Sequence, residues 1–315
     1  MRARRRGLEA HFRRTVRASA FDHLPIEAKL RYDRLSAAEL FLSCRGRRAP
    51  MARFHHVLTE SANGVQTITM NRPEKRNALC PLLIEELTQA MNDAAECDCG
   101  VVILTGAGPA FCSGLDLEHL ETMNASTPEE NRRDSENLAR VLRTLYDFPK
   151  PIIAAVNGPA IAGGMALATI PDFTLATPEA KFGYTEVRVG FVPAIVATFL
   201  LRQVGELRTR ELLLSGRILK AHEALQLGLV TQIVEQSDLL AAARALAQTL
   251  LLNSPQAMQA VKRLLSKHAK RRLDEEIEDA IEVNAQQRSA EDFKEGVLAF
   301  KQRRRAEWPS LHVKV

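Results

Sequence analysis

The sequence predicts an α/β core followed by a helical C-terminal region. Two strongly apolar β-type runs, Val101 to Thr105 and Ile152 to Val156, each turn through a glycine-bearing segment into residues that read as helix. From about Pro193 onward the pattern is mostly helical. Alternating strand and helix ending in a helical tail is how an α/β layer with extra helices is written.

The elements follow in order. Residues 54–60 and 64–70 read as a hairpin turning at Asn63-Gly64, with alternation through Val65, Thr67 and Thr69. Pro81 stands in the first turn of a helix reaching about Glu96, where its missing N–H costs nothing. Thr127-Pro128-Glu129-Glu130 marks another helix start, with Thr127 as cap and Glu130 at the capping-box position. That helix carries Leu138, Val141, Leu142 and Leu145 on one stripe, and Pro149 and Pro151 stop it before the second apolar run. A short strand at 172–176 precedes a segment around Glu186. No internal repeat is visible.

At 315 residues and 46% hydrophobic content, the chain can bury one substantial core, or one domain with an appendage. It divides into a basic leader (1–50), a core (51–250) and a C-terminal helical region (251–315). The net charge of +5 is unevenly spread: residues 1–50 hold 13 Lys and Arg against 5 Asp and Glu, leaving 30 against 33 for the rest. The globular part is thus mildly acidic, and nucleic acid is not its expected partner. The leader supports three readings: an organelle transit peptide, a basic arm for nucleic acid or anionic lipid, or sequence upstream of a start at Met51, absent from the mature protein. No apolar run approaches the length of a membrane span, which argues against an integral membrane protein. Cys44, Cys80, Cys97, Cys99 and Cys112 are odd in number and unevenly placed. Cys97-Asp98-Cys99 lacks the second pair that a structural zinc site requires, so no metal and a reduced, cytoplasmic setting are expected. His119 reads as a surface helix position.

The chemistry is carried by the two glycine turns, Ala110-Phe-Cys-Ser-Gly-Leu-Asp-Leu117 and Asn157-Gly-Pro-Ala-Ile-Ala-Gly-Gly164. A strand that turns through glycine into a helix leaves free N–H groups where the helix dipole favours negative charge. Two such turns facing each other would aim two donors at one oxygen, as an oxyanion hole does. Either turn alone is also what an ordinary tight strand-to-helix connection looks like. Gly106-Ala107-Gly108 is not a dinucleotide fingerprint, because Phe111 occupies the place of the third glycine. Ser113, flanked by Phe111 and Leu115, is not a nucleophile elbow, and there is no phosphate-loop lysine motif.

These two segments resemble the signatures of the enoyl-CoA hydratase/isomerase (crotonase) superfamily. Asn71-Arg-Pro-Glu-Lys-Arg-Asn-Ala-Leu79 is similar to that family's CoA-contacting loop, and Lys181-Phe-Gly-Tyr-Thr-Glu-Val-Arg-Val-Gly190 to its catalytic-glutamate segment. Ala221 to Val230 and Glu291 to Trp308 resemble its downstream helices. The likeness spans about residues 54 to 310, and Glu186 to Pro193 looks like the methylglutaconyl-CoA hydratase-like bacterial subgroup.

The resemblance implies a spiral core of (ββα)-type units with a helical C-terminal region, assembled as a trimer or a dimer of trimers. It implies a CoA thioester substrate with no further cofactor. By position, the N–H groups of Leu115 and Gly163 would hold the thioester oxygen, and Glu186 would do the acid/base work. Without the resemblance, Glu186 also reads as an exposed partner of Arg188 or Lys181. Arg76 and Ala78 would lie near the nucleotide end of CoA, and Ser113, Asp116 and Leu117 along the pantetheine. Arg72, Lys75 and Arg76 would offer charge to its phosphates. One departure matters: Ala166 stands where typical hydratases carry a second glutamate, and Ala194 where dienoyl-CoA isomerases place an acid. The expected reaction is hydration of a 2-enoyl-CoA, as in fatty acid metabolism, with Δ3-Δ2 enoyl-CoA isomerisation as the alternative. A non-catalytic CoA- or RNA-binding protein using the basic arm is the alternative of another class. The segment from Met123 to Thr127 and the C-terminal helices would shape acyl specificity.

Overall fold

The computed structural model describes residues 54–123 and 125–311. The leader with its three readings, and Cys44 within it, lie outside them. Strands β1 (Val57–Ala62) and β2 (Val65–Met70) form the expected antiparallel hairpin. Asn63 at φ 50° and Gly64 at φ 77° give two successive left-handed residues, the conformation an Asn-Gly hairpin turn requires.

From β2 the sheet continues in parallel through β3 (Val101–Gly106), β4 (Ile152–Val156), β6 (Phe173–Ala176) and β9 (Gln232–Ile233). A second, three-stranded sheet pairs β5 (Ala160–Ile161), β7 (Lys181–Gly183) and β8 (Leu219–Lys220). The helices are α1 (Pro81–Glu96), α2 (Leu117–Met123), α3 (Pro128–Tyr146), α4 (Gly163–Thr169), α5 (Ala194–Ser215), α6 (Ala221–Gln226), α7 (Leu239–Leu251), α8 (Pro255–Gln287) and α9 (Glu291–Gln302).

Burial on both faces explains why β3 and β4 read as continuous apolar runs rather than alternating ones. Val102 and Leu104 enter the main core with residues of α1 and α3, including Leu87, Met91 and Leu142. Val101 and Ile103, pointing the other way, meet Leu239, Ala243 and Ala247 of α7. The start of α3 is the expected capping box: Thr127 Oγ1 accepts from the Glu130 N–H at 3.2 Å, and Glu130 Oε2 accepts from the Thr127 N–H at 2.8 Å. The C-terminal helices share the main core, because α8 packs on α3 and α5 and buries Leu273, Ala280 and Ile281 there. Beside the core, α9 lies on the single turn Glu186–Val189.

Candidate active site

The two glycine turns are in direct contact. Ile161 N–H donates to the Cys112 carbonyl at 2.9 Å, and Cys112 N–H to that of Pro159 at 3.1 Å. Gly114, at φ 89°, lies so close to the second turn that a Cβ there would be 2.9 Å from Ala162 Cβ and 3.1 Å from the Ile161 carbonyl. A Cβ on Gly164 would meet the Cys112 carbonyl oxygen at 2.3 Å. Only glycine permits this approach.

The approach also decides which backbone donors stay free. Leu79 N–H donates to the Gly114 carbonyl at 2.7 Å and Asp116 N–H to that of Leu79 at 2.9 Å, which leaves the intervening Leu115 N–H unused. Gly163 opens α4, so its N–H has no intrahelical acceptor. Ala162 before it holds φ 52°, a strained value for a residue with a Cβ, and its N–H is fixed to the Gly183 carbonyl at 2.7 Å. Among the described residues, neither Leu115 nor Gly163 N–H has a backbone acceptor. Both residues line one cavity of about 130 Å³.

Glu186 lines the same cavity. The Gly190 turn after it fits because Gly190, at φ 67°, sits against the Asp292 carbonyl, where a Cβ would be 2.3 Å away. The Glu186 side chain is buried, and its Oε2 has no hydrogen-bond partner among the described residues. Burial pushes the Glu186 carboxyl up to about 8, only partly offset by its own backbone N–H. Among the described residues it makes no ion pair with Arg188 or Lys181, and it is buried, so the exposed-partner reading of Glu186 is set aside. The rest of the lining is largely apolar and includes Leu117, Leu120, Leu138, Phe191 and Phe300.

A scan of family models matches residues 60–310 to enoyl-CoA hydratase/isomerase. The chain belongs to that family. A Thermus thermophilus protein, provisionally named an enoyl-CoA hydratase, is 43% identical over 242 residues, spanning 76% of this chain and 95% of that one. A short-chain-enoyl-CoA hydratase of Clostridium acetobutylicum is 32% identical over 256 residues, 80% of this chain and 97% of that one. Among solved structures, an enoyl-CoA hydratase/isomerase from Xanthobacter autotrophicus superimposes with a TM-score of 0.74 at 30% identity, covering 79% of this chain and 94% of that one. The fold is therefore the crotonase fold with its helical C-terminal region, and the protein is an enzyme of the enoyl-CoA hydratase/isomerase class.

The remaining residues singled out in the sequence separate on the structure. Ser113 and Leu117 stand on the cavity with Leu115 and Gly163. Arg76, at φ 52°, is exposed beside the turn, where the Ser113 N–H donates to its carbonyl at 3.1 Å. Ala78 is buried, and its carbonyl accepts from Arg72 Nη1 at 2.6 Å. Asp116 is buried too; its carboxylate accepts from Arg72 Nη2 at 2.9 Å and from the Glu118 N–H at 3.0 Å. The expectation that Arg72 offers charge to CoA phosphates is thus corrected: its guanidinium is an internal strut between two loops. Lys75 is tied at the surface to Glu118 at 2.6 Å.

Ala166 lies wholly within the main core on α4, so no second carboxylate comes from that position. Ala194 likewise packs on the core and is not part of the lining. His119 departs from its expected surface role: it is half-buried with Nε2 2.8 Å from Asp134 Oδ1. Cys112 is fully buried, and burial pushes its thiol up to about 12, leaving it inert. Among the described residues, no three His, Cys, Asp or Glu side chains converge as a metal site would need. Nor, among them, is any helix long and apolar enough to cross a membrane.

Sequence reasoning passed over Asn77, Asn284, Arg288 and Phe300. Asn77 carries a faint local signal, since asparagine is one of the few residues that tolerate the left-handed backbone it adopts at φ 54°, but its complete burial is not readable from the chain. Its amide accepts from the Arg72 N–H at 2.8 Å and donates to the Ala107 and Ala110 carbonyls at 2.9 and 2.8 Å, holding the first glycine turn in place. Asn284 and Phe300 belong to the C-terminal helices and reach the cavity only through tertiary packing, and Arg288, directly after α8, is placed behind it in the same way.

Proposed function

We propose that the enzyme adds water across the 2,3 double bond of a 2-enoyl-CoA, with the Leu115 and Gly163 N–H groups as its oxyanion hole and Glu186 as its acid/base. One observation carries this reading: a buried, unpartnered carboxyl faces the same cavity as the two residues whose N–H groups are free. With the thioester oxygen between those donors, addition at C3 drives electron density onto oxygen, where each preorganised donor is worth about 2.7–4 kcal/mol in the transition state. The ionised Glu186 takes a proton from water as the oxygen bonds to C3. The resulting enolate collapses as C2 accepts that proton from the now neutral Glu186, which regenerates the carboxylate. Ser113 and Leu117 would border the pantetheine, and Arg76 would supply charge near the nucleotide.

A second reading is favoured by a specific observation: Glu186 is the one carboxylate lining the cavity among the described residues. A single carboxylate suffices to take a proton from C2 of a 3-enoyl-CoA and return it at C4, which is isomerisation. Residues 51–315 incubated with 2-enoyl-CoA and 3-enoyl-CoA in ¹⁸O-water separate the two. Uptake of heavy oxygen from the 2-enoyl thioester supports hydration, and bond migration without uptake supports isomerisation. Inertness toward both thioesters would sink the reading. A trimer or dimer of trimers is proposed as well. It is supported by exposed apolar residues on the C-terminal helices and the linker before them (Leu252, Val261, Leu264, Leu265), and light scattering would test it.

A further inference from the structure

The lining of the cavity comes from elements far apart in the chain. Helix α2 contributes Leu117 and Leu120, the segment after Glu186 contributes Phe191 and Val192, and α8 contributes Asn284. His119 lies on α2 between the two lining leucines, and its Nε2 is 2.8 Å from Asp134 Oδ1. On the other oxygen, Asp134 Oδ2 accepts from Arg288 Nη1 at 2.7 Å. Arg288 is completely buried. Its guanidinium carbon lies 5.7 Å from the centre of the Phe191 ring, and its Nη2 donates to Asn284 Oδ1 at 3.1 Å. Asn284 Oδ1 also accepts from Ser135 Oγ at 2.9 Å, and its Nδ2 donates to the Val192 carbonyl at 3.3 Å.

One carboxylate therefore joins parts of the lining that lie far apart in the chain. The C-terminal end of α2 is anchored by Met123, buried with Phe293 and Val297, whereas the other polar ties of the helix are weak by comparison. Lys75–Glu118 and Lys301–Glu121 are ion pairs open to solvent, where such pairs contribute little. Asn131 Nδ2 reaches the Met123 carbonyl only at 3.4 Å. The half-buried His119–Asp134 bond is shielded from water and salt, as the exposed pairs are not.

We infer that Asp134, which is not itself on the cavity, is the positioning residue that sets the width of the acyl cavity, gripping α2 through His119 and the Phe191–Asn284 wall through Arg288. The inference rests on the acyl-CoA reading above. With the clamp made, Leu117 and Leu120 stay pressed against the acyl group and short chains are favoured. With it broken, the turn of α2 that carries Leu117 and Leu120 can withdraw about the Met123 anchor, and longer or branched chains fit at the expense of short ones.

The test uses binding rather than turnover, so it is independent of whether water addition or isomerisation is the reaction. Saturated acyl-CoA thioesters with chains of 4, 8 and 12 carbons are titrated calorimetrically into the full chain and into His119→Leu and His119→Gln. Loss of the bond is expected to weaken the 4-carbon thioester about fivefold in His119→Leu, the worth of one hydrogen bond, with the 12-carbon thioester unchanged or tighter. His119→Gln, whose amide still donates toward Asp134, is expected to restore the wild-type profile. Asp134→Asn should shift the profile in the same direction and further; because it also leaves Arg288 without its charge partner, the decision is left to the His119 pair. A wild-type profile in His119→Leu, an equal loss at all three lengths, or no rescue by glutamine would each overturn the clamp while leaving the acyl-CoA reading intact. A wild-type chain that binds none of the thioesters would overturn both.

Discussion

Arg72 Nη2 donates to Asp116 Oδ2 at 2.9 Å, and both side chains are almost completely buried. Arg72 Nη1 at the same time donates to the Ala78 carbonyl, so one guanidinium ties the loop before α1 to the turn that carries Leu115. A buried pair of this kind adds little net stability while intact, but breaking it strands a charge. Asp116→Ala is therefore expected to cost about 3–5 kcal/mol in urea unfolding, whereas the double replacement Arg72→Met with Asp116→Leu should cost clearly less. Equal losses in the single and double variants would show that the charge pair is not what the loops depend on.

Glu186→Gln keeps the size and loses the ability to move a proton. Turnover of the preferred enoyl-CoA is expected to fall by a factor of about 10²–10⁴, while the dissociation constant for a saturated acyl-CoA changes little. Steady-state kinetics alongside calorimetry reads both quantities. Retained turnover would take Glu186 out of the acid/base role.

The same carboxyl makes two linked predictions about pH. With its folded-state value raised to about 8, Glu186 is mostly neutral at pH 7, and the base form that the proposed hydration needs for its first step accumulates only above that. The logarithm of kcat/KM should therefore rise with pH and level off near 8. Stability runs the other way. The folded state holds this proton more tightly than the unfolded chain, so the contribution is complete below the ordinary carboxylate range. It is lost as pH climbs from there through about 8. Glu186→Gln, with nothing to ionise, should gain stability relative to wild type as pH rises from 5 to 9. A constant difference between the two across that range would contradict the buried carboxyl.

What could be read from the chain beforehand was local. Asn63-Gly64 encodes its turn in two residues, Thr127 and Glu130 cap α3 across four, and the apolar runs of β3 and β4 need no partner to be recognised. The glycine turns were legible because close approach leaves only glycine possible at Gly114 and Gly164. The second sheet was not, since β5 and β8 are two residues each and too short to show a period. Nor were the polar struts. Arg72 and Asp116 are 44 positions apart and Asp134 and Arg288 are 154 apart, and each alone has the look of a solvated charge. Their burial is a property of the packed helices and loops, and no local pattern reports it.

Gly114 gives the sharpest test of how the two turns make one site. Its φ of 89° is costly for any residue with a Cβ, and that Cβ would press on Ala162 Cβ and the Ile161 carbonyl. Gly114→Ala must therefore either strain the first turn or push it off the second, and either change is expected to turn the Leu115 N–H out of line with that of Gly163. Loss of alignment of one donor corresponds to about 10²–10³ in kcat, with a fold that is weakened but present. Turnover and near-ultraviolet circular dichroism measured on the same sample distinguish the two effects. A variant with native dichroism and full activity would mean that the two turns need not touch for the reaction to proceed, and the oxyanion hole would have to be sought elsewhere on the cavity wall.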